Sequence, residues 1–286
     1  MAFTITSQNK GAFPDVQRFA PEDIIPEALI ISTSSIGANV EGDAPSVRVP
    51  FVSEDPEADI VKEGEQISEA DPELTELTVN THKLSVLHRI SREAYSHAGV
   101  GELLTNSLGR AVIKKADAIY LANKPAEGEA GPIGLVNTAG IVDGGNIDTN
   151  LDALTDAIAT VQTNGAEPTH IIASPTAWAY IQKMKAGSGY NTPLIGSPAE
   201  ATALRLAGLP VVINKNTPAG TLLLIDQSQI LSAVGQLEVA VSDQRYFDSD
   251  NYAIRLTFRF GFGVLRPDRL AKLTVGAAAS GKAAKA

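Results

Sequence analysis

Histidine is the residue type in this chain best suited to metal binding or acid–base catalysis, and it occurs four times, as His82, His88, His97 and His170. His82 and His88 fall on one face of a predicted strand, but six residues of strand separate them by about 20 Å. Ligands of one zinc ion lie within roughly 2 Å of the metal. The spacing therefore favours surface or interface histidines over a metal site.

Clustered carboxylates form the second group that could do chemistry. They are Glu54, Asp55, Glu57, Asp59, Glu63, Glu65, Glu69 and Asp71. Carboxylates bind divalent cations, but this spacing does not match the Ca²⁺ loop of an EF-hand. Charge runs are more often solvated faces or partners of basic residues on another subunit. We interpret the segment as a contact surface and predict no metal.

Other catalytic motifs are incomplete or missing from the sequence. The chain has no cysteine, which excludes thiolate catalysis and cysteine zinc sites. Gly99–Gly101 reads GVG, but it lacks the third glycine of a dinucleotide-binding loop, so a kink at a helix start is the better interpretation. No nucleophile elbow, Walker A loop or His-Glu-x-x-His pattern occurs. The sequence predicts no enzyme and no cofactor.

Composition narrows the function classes further. The 286 residues include 33 acidic and 23 basic side chains, a net charge of -10, which argues against wrapping nucleic acid because phosphates need a basic surface. Hydrophobic residues reach 44% but aromatic residues only 5%, so the core is aliphatic. The N-terminus lacks a secretory pattern and no apolar run reaches membrane-spanning length, which predicts a soluble protein.

Hydrophobic periodicity divides the chain into segments. An arm with a brief helix at 24–30 precedes a hairpin, whose first strand alternates apolar and polar residues over 46–52. Apolar residues at helical spacing predict one long helix from about Gly101 to Asn123. A turn follows, with a short strand predicted for GLVN at 134–137, and then an α/β section and a long half-buried strand around 254–260.

The returning strand of the hairpin changes its buried face. Leu77 and Val79 share one face, whereas Leu84, Val86 and Ile90 share the other. Because side chains alternate strictly along a strand, this switch predicts a bend or twist at Lys83.

Several local motifs occur in one order along nearly the whole chain. They are Glu63 with Gly64, Lys83 with Leu84, Ser91 with Glu93, Asp117 late in the long helix, Pro132 with Gly134, Asp226 at a strand end, and the Arg266–Pro267 pair. In this order the motifs resemble those of tailed-bacteriophage major capsid proteins, which have the Hong Kong 97-type capsid fold.

The resemblance implies an α+β, Hong Kong 97-like capsid fold, in which an extended β-hairpin loop and a long spine helix accompany a peripheral β-sheet and an α/β axial domain. The implied parts are an N-terminal arm at 1–45, the extended loop at 46–90, the peripheral domain with the spine helix at 91–135, the axial domain at 136–236, peripheral return strands at 237–275 and a flexible C-terminal tail at 276–286.

The implied function is that of a major capsid (head) protein of a tailed double-stranded DNA phage. Copies would self-assemble through hexamers and pentamers into an icosahedral shell that encloses the genome without sequence-specific binding. Assembly would occur in the host bacterial cytoplasm and the product would be the virion capsid, with portal and decoration proteins as possible further partners. An encapsulin-type nanocompartment shell protein of the same fold is the alternative. A hydrolase using the α/β section is a third class, but no nucleophile with a positioned base is visible.

The resemblance also places candidate contact residues. We expect inter-subunit contacts from Glu54, Asp55, Lys62, Glu63, Glu65, Arg89, Arg255 and Arg266. Hinges that adjust the subunit to five-fold and six-fold rings are expected at Gly64 and Gly101.

Two further properties of some relatives bear on this chain. Some crosslink a hairpin lysine to an asparagine; Lys62 and Asn251 lie nearest to those positions, although Asp250 falls at the aligned acceptor. Some carry an N-terminal scaffolding segment that a protease removes. Here Met1 starts directly in the arm, so a separate scaffold protein or none is expected.

Overall fold

Two six-stranded sheets, a two-stranded ribbon and one long helix dominate the computed structural model, which describes residues 16–19, 28–40, 44–54, 60–61, 64, 73–97, 100–127, 131–187, 191–195 and 204–276. The helices are α1 (Leu29–Thr33), α2 (Arg92–Ser96), α3 (Val100–Ala122), α4 (Asp152–Thr163) and α5 (Pro175–Lys183). The strands are β1 (Val16–Phe19), β2 (Ser35–Val40), β3 (Ser46–Glu54), β4 (Glu73–Asn80), β5 (His82–Ser91), β6 (Val142–Ile147), β7 (His170–Ala173), β8 (Arg205–Leu206), β9 (Leu209–Ile213), β10 (Thr221–Ile225), β11 (Ile230–Gly235), β12 (Leu237–Tyr246), β13 (Asn251–Val264) and β14 (Ala271–Val275). This content confirms the α+β class.

The peripheral sheet is organised around β13, the longest strand. On one edge β13 pairs antiparallel with β5; on the other it pairs with β12 along its first half and with β11 along its second half. β1 and β2 extend the sheet beyond β12 and β11. The predicted alternation is confirmed, because Ile254, Leu256, Phe258 and Phe260 are all buried on one side of β13.

The long helix α3 covers that buried side of the peripheral sheet. Its 23 residues give a length of about 34 Å. Leu108, Val112, Ala116 and Tyr120 are buried in the same cluster as the β13 side chains, and the rings of Tyr120 and Phe262 meet edge to face at 4.9 Å. The predicted spine helix is therefore confirmed, and its apolar stripe forms the core with the sheet.

The axial sheet has the strand order β6-β14-β10-β7-β9-β8. Its central strand β10 is buried along its whole length, and helices α4 and α5 share its core cluster through side chains such as Leu154 and Trp178. Helix α5 begins at Pro175, directly after a capping serine. The Ser174 hydroxyl accepts a hydrogen bond from Ala177 N at 3.1 Å, and Pro175 occupies the first turn.

Two strands belong to a different sheet from the one that the resemblance implies for their segments. β11 falls within the segment expected to be axial (136–236), yet it pairs with β13 and β2 in the peripheral sheet. β14 falls within the segment expected to be peripheral (237–275), yet it pairs with β10 and β6 in the axial sheet. Both pairings join residues far apart in sequence, which local periodicity does not report.

The extended loop is shorter than the expected 46–90. β3 and β4 form an antiparallel ribbon from Ser46↔Asn80 to Glu54↔Glu73, but β5 belongs to the peripheral sheet over ten residue pairs. The change of buried face also lies earlier than Lys83. Thr81 separates β4 from β5, and its amide and hydroxyl donate to the carbonyls of Pro45 and Ala44 at 2.9 Å and 2.5 Å. The bend is set by these bonds.

The segment 134–137 is a short 3₁₀ turn (Leu135–Asn137), so the strand predicted there is wrong. It packs against the end of α3, where the Asn137 side-chain amide donates to the Ala122 carbonyl at 3.0 Å. The last carbonyls of a helix lack partners within it, and this turn supplies one.

Gly261 lies where the ribbon crosses β13 and leaves no space for a side chain. A Cβ atom at Gly261 would lie 2.3 Å from the carbonyl oxygen of Asn80. Gly261→Ala is expected to lower the free energy of unfolding by about 1–3 kcal/mol, because backbone atoms must move apart. Urea unfolding followed by circular dichroism measures this change.

Gly37→Ala is the matched control on strand β2. A Cβ atom there meets Leu231 Cδ2 at 3.4 Å, an ordinary contact. This substitution is expected to change the free energy of unfolding by no more than about 0.5 kcal/mol. Equal losses in the two variants would show that the crossing at Gly261 is not tight.

Candidate functional site

The side of the peripheral sheet opposite α3 is a candidate contact surface, and we call it the open face. Along β5 the outward side chains are Lys83, Ser85, Leu87 and Arg89. Their register partners on β13 include Ala253 opposite Arg89 and Arg255 opposite Leu87. Two of the expected contact residues, Arg89 and Arg255, therefore share this face.

Arg89 is held in place on the open face. Its guanidinium donates to Ser249 Oγ at 2.8 Å and lies 4.8 Å from the centre of the Tyr246 ring. A cation over an aromatic face gains about 0.5–1 kcal/mol at an exposed site. Arg255 is exposed beside a hollow of about 350 Å³. Both arginines are thus exposed on this face, and Arg89 is held by its contacts with Ser249 and Tyr246.

Apolar side chains accompany these charges. Leu87 is 46% exposed in the middle of the face, and Phe247 is 85% exposed in the 3₁₀ turn (Phe247–Ser249) between β12 and β13. Large apolar groups exposed in this way mark contact sites between proteins when they lie together. Acidic groups are also present on β12, at Glu238 and Asp243.

The ribbon covers the other end of the open face within the same chain. Gly261 and Gly263 lie directly beneath β4, where a Cβ at Gly263 would lie 2.9 Å from Leu77 Cδ2. Arg266, the third expected contact arginine, donates through Nη2 to the Val52 carbonyl at 2.8 Å. In this subunit Arg266 therefore fixes the ribbon to its own body; its contact with a second subunit stays a prediction.

The acidic residues of the loop lie largely outside the described residues. Asp55, Lys62, Glu63 and Glu65 fall in the gaps, and only the backbone of Glu54 is described, at the end of β3. Their contacts stay predictions. Of the described positions near them, Ile60 is fully exposed and Leu74 is 73% exposed.

The asparagine considered for crosslinking sits in a tight turn. Asn251 donates through Nδ2 to the Ser249 carbonyl at 2.6 Å. Asp250 adopts a left-handed conformation with φ 51°, and its carboxylate pairs with Arg92 Nε at 2.8 Å. Both side chains are therefore engaged within the subunit. A bond from Lys62 stays a prediction, since that lysine lies outside the described residues.

Asp117 joins three parts of the chain and is 4% exposed. Its Oδ1 accepts a hydrogen bond from Leu29 N, the first residue of α1, at 2.9 Å. Its Oδ2 accepts one from Asn214 Nδ2, just after β9 of the axial sheet, at 2.7 Å. Burial raises the pKa of Asp117, opposed by these two hydrogen bonds.

Asp117 belongs to the motifs that carry the resemblance, but sequence reasoning does not identify its partners. An acidic residue beside the apolar stripe of α3, next to Ala116 and three residues before Tyr120, is the signal that marks it as buried and bonded. Tyr120 lies close by, and burial raises the pKa of its phenol. The Thr33 hydroxyl of α1 donates to the Tyr120 oxygen at 3.2 Å.

The histidines do not converge. Among the described residues, no group of three His, Asp or Glu side chains is placed to hold a metal ion. His82 and His88 face the same side of β5, and burial together with the charge of Arg259 lowers the pKa of His82.

Within the described helices, none is both long and apolar enough to span a membrane.

Comparison with known proteins gives one family and one fold. A model of the phage capsid family matches residues 29–275. Among solved structures, Gordonia phage Cozz shares 16% identity with a TM-score of 0.69 and 87% coverage of each chain. The capsid of a native GTA particle shares 20% identity with a TM-score of 0.68, covering 87% of this chain and 90% of the other. Mycobacterium phage Bobi shares 15% identity with a TM-score of 0.67 and 94% coverage of each. A search of curated proteins found no match.

Proposed function

This chain belongs to the phage capsid family as a major capsid protein of Hong Kong 97-like fold, and we propose that it assembles through hexamers and pentamers into an icosahedral shell around double-stranded DNA. The family match favours this function over the encapsulin alternative. The observation that carries the assembly proposal is the pairing of an acidic loop with a basic and apolar open face in one chain. In a closed shell each copy can offer its loop and receive another.

The loop supplies the negative partner. Residues 55–72 contain seven acidic residues and a single lysine, Lys62. At its base, Arg48 and Glu76 form a loose ion pair at 3.6 Å across the ribbon, so the described part of the ribbon is close to neutral there. The excess negative charge therefore lies in the loop itself.

The open face supplies the positive partner on the next subunit. Lys83, Arg89 and Arg255 point from it, and the chain's own ribbon leaves this end uncovered. Exposed ion pairs contribute only about 0.2–1 kcal/mol each, so charge alone gives orientation and little affinity. Burial of Leu87 and Phe247 against apolar loop residues such as Ile60 and Leu74 would supply the remaining affinity.

Modest single contacts suit the assembly of a large shell. Misplaced subunits can leave when each interface is weak, whereas closure multiplies the contacts that hold every correctly placed subunit.

Assembly in the bacterial cytoplasm and the help of scaffold, portal or decoration proteins belong to this proposal. The proposal also includes hinges at Gly64 and Gly101, which would adjust the subunit to five-fold and six-fold rings. Gly64 has φ 85°, and a Cβ there would meet none of the described residues within 4 Å, while Gly101 lies in the first turn of α3.

Reversal of charge on the open face tests the proposed contact. Arg89→Glu together with Arg255→Glu is expected to reduce the yield of closed shells at least tenfold, because the acidic loop would meet like charges. Negative-stain electron microscopy and size-exclusion chromatography of the purified protein give the yield. Rising salt should weaken assembly of the native protein in the same assay.

Two companion variants make the result specific. Arg89→Lys with Arg255→Lys keeps the charge and is expected to keep assembly near the native level. Adding Glu63→Lys and Glu65→Lys to the reversed face places opposite charges at these two positions and lowers the net charge of residues 55–72 from −6 to −2, so it should recover part of the lost shells. Native yields from the reversed face alone would rule out the loop contact there.

A further inference from the structure

The exposed side of α3 is basic in a chain that is acidic overall. Between residues 103 and 122 the helix has three basic residues, Arg110, Lys114 and Lys115, and one acidic residue, the buried Asp117. The three basic side chains are exposed. Residues four apart lie on one side of a helix, so Arg110 and Lys114 are neighbours.

A cleft beside the helix adds a fourth cation. It has a volume of about 450 Å³ and lies between α3 and the segment after β9. Its rim includes Arg110, Lys114 and Lys215, and Ile113 with Ile213 forms the apolar part of its lining. The cleft therefore brings together two cations of α3, which packs on the peripheral sheet, and one from the segment that follows β9 of the axial sheet.

Two hydrogen bonds hold Lys215 beside the helix. Asn214 donates to the Asp117 carboxylate at 2.7 Å, and Asn216 donates through Nδ2 to the Lys114 carbonyl at 3.3 Å. Lys215 lies between these two anchored residues. Its backbone position relative to Lys114 is therefore set by the fold.

These cations lack acidic partners within the described part of the chain. No described carboxylate forms an ion pair with Arg110, Lys114, Lys115 or Lys215. The nearby Asp117 carboxylate already accepts from Leu29 N and Asn214 Nδ2. Four uncompensated positive charges next to each other repel, so this surface is more stable with an anion on it.

The side chains between the cations favour phosphate over an acidic protein segment. The exposed positions next to Arg110 hold Asn106, Ser107 and Ala111, and the first two offer hydrogen bonds that a phosphate oxygen can accept. Phosphate groups of nucleic acids are typically bound by Arg, Lys, Ser and Asn side chains.

The two sides of the peripheral domain then face different partners. The open face and α3 lie on opposite sides of the sheet. In the proposed shell a neighbour's acidic loop lies on the open face, so that side would be repelled by enclosed DNA, which carries about one negative charge per 1.7 Å of duplex. The helix side would therefore face the DNA.

We infer that the surface formed by Arg110, Lys114, Lys115 and Lys215, here called the helix patch, binds the phosphate backbone of the enclosed duplex without reading its sequence. This inference rests on the proposed shell function. The net charge of the chain opposes DNA binding as a whole, but screening confines each charge to about 8–10 Å, so the local patch decides the contact.

Binding of a fluorescein-labelled duplex of about 20 base pairs to the unassembled full chain tests the inference, with fluorescence anisotropy read between about 50 and 200 mM KCl. Four phosphate contacts predict a slope of log K against log salt of about −3.6. Arg110→Gln, Lys114→Gln and Lys215→Gln combined should reduce the slope by about 2.7 and weaken binding at least tenfold at the lowest salt. A second duplex of unrelated sequence should bind equally well.

A charge-matched variant controls for net charge. Lys183→Gln, Lys185→Gln and Arg205→Gln remove three exposed cations from the axial domain and should change DNA binding less than twofold. An equal loss in this variant would overturn the inference, because any cation would then serve. Unchanged binding by the helix-patch variant would overturn it as well.

Shell formation without DNA separates this inference from the proposed function. The helix-patch variant should form shells as well as the native chain does. Loss of shells in that variant would mean that the patch contacts protein, which overturns the inference. Failure of the native chain to form shells would instead contradict the proposed function. Normal shells combined with unchanged DNA binding would contradict the inference alone.

Discussion

A chain in which Asn-Gly replaces residues 55–72 is expected to fold normally and to form no closed shells. Glu54 and Glu73 are register partners at the end of the ribbon, so a two-residue turn can join β3 to β4 there. Asn-Gly favours the type I′ turn that matches the twist of a two-stranded ribbon. The ribbon would keep its contacts with Gly261 and Arg266, whereas the acidic loop would be lost.

The measurement pairs a folding assay with an assembly assay. Circular dichroism and urea unfolding should stay close to those of the native subunit, while electron microscopy should show at least a hundredfold fewer shells. A full-length loop with its seven acidic residues changed to Asn or Gln separates charge from length. We expect this neutral loop to assemble poorly but measurably, because its apolar residues remain. Shells at the native yield from the shortened chain would contradict the loop contact.

The second large effect is expected at Asp117. Asp117→Ala removes the acceptor of Leu29 N and of Asn214 Nδ2, both in buried or part-buried positions. Each donor left without a partner costs about 1–3 kcal/mol, so the loss of both bonds should lower the free energy of unfolding by about 2–6 kcal/mol. Urea unfolding of the unassembled protein measures the loss. Asp156→Ala, at an exposed position on α4, is the control. Its free energy of unfolding should stay within about 0.5 kcal/mol of the native value.

The pH dependence of stability identifies the buried carboxylate independently. Because burial raises the pKa of Asp117, the folded state binds its proton more tightly than the unfolded state does. The contribution to stability is present below the ordinary pKa of about 4 and is lost as the pH rises through the raised value. Asp117→Asn should remove this contribution, so the free energy of unfolding of the native chain minus that of the variant should fall as the pH rises. A constant difference would show that Asp117 does not titrate as a buried group.

Local patterns in the sequence predict the elements whose partners are close along the chain. The alternation at Ile254, Leu256, Phe258 and Phe260 predicts β13 and its buried side, and the helical spacing before Ala116 predicts α3. Helix α5 follows from Ser174 and Pro175 at its start. In each case the signal is a repeat or a cap within a few residues, which is the range over which backbone geometry is decided.

The pairing of distant strands and the partners of single residues could not be predicted in this way. Asp117 bonds residues 88 positions before it and 97 after it, and neither distance leaves a periodic trace. β5 reads as a continuation of the hairpin because it also alternates, and only its pairing with β13 shows otherwise. Sequence reasoning misses the helix patch because its cations come from α3 and from Lys215, about 100 residues later. The net negative charge of the chain also argues against a phosphate-binding surface.

The path of the chain between the two sheets constrains how this subunit can be engineered. After β10 the chain leaves the axial sheet, forms β11, β12 and β13 of the peripheral sheet, and returns as β14, which lies between β6 and β10. A chimaera that exchanges only residues 136–236 with a relative would insert a foreign sheet around a native middle strand. Ala271, Leu273 and Val275 would then face side chains that they were not shaped to fit. A working graft must carry residues 271–275 together with the exchanged segment.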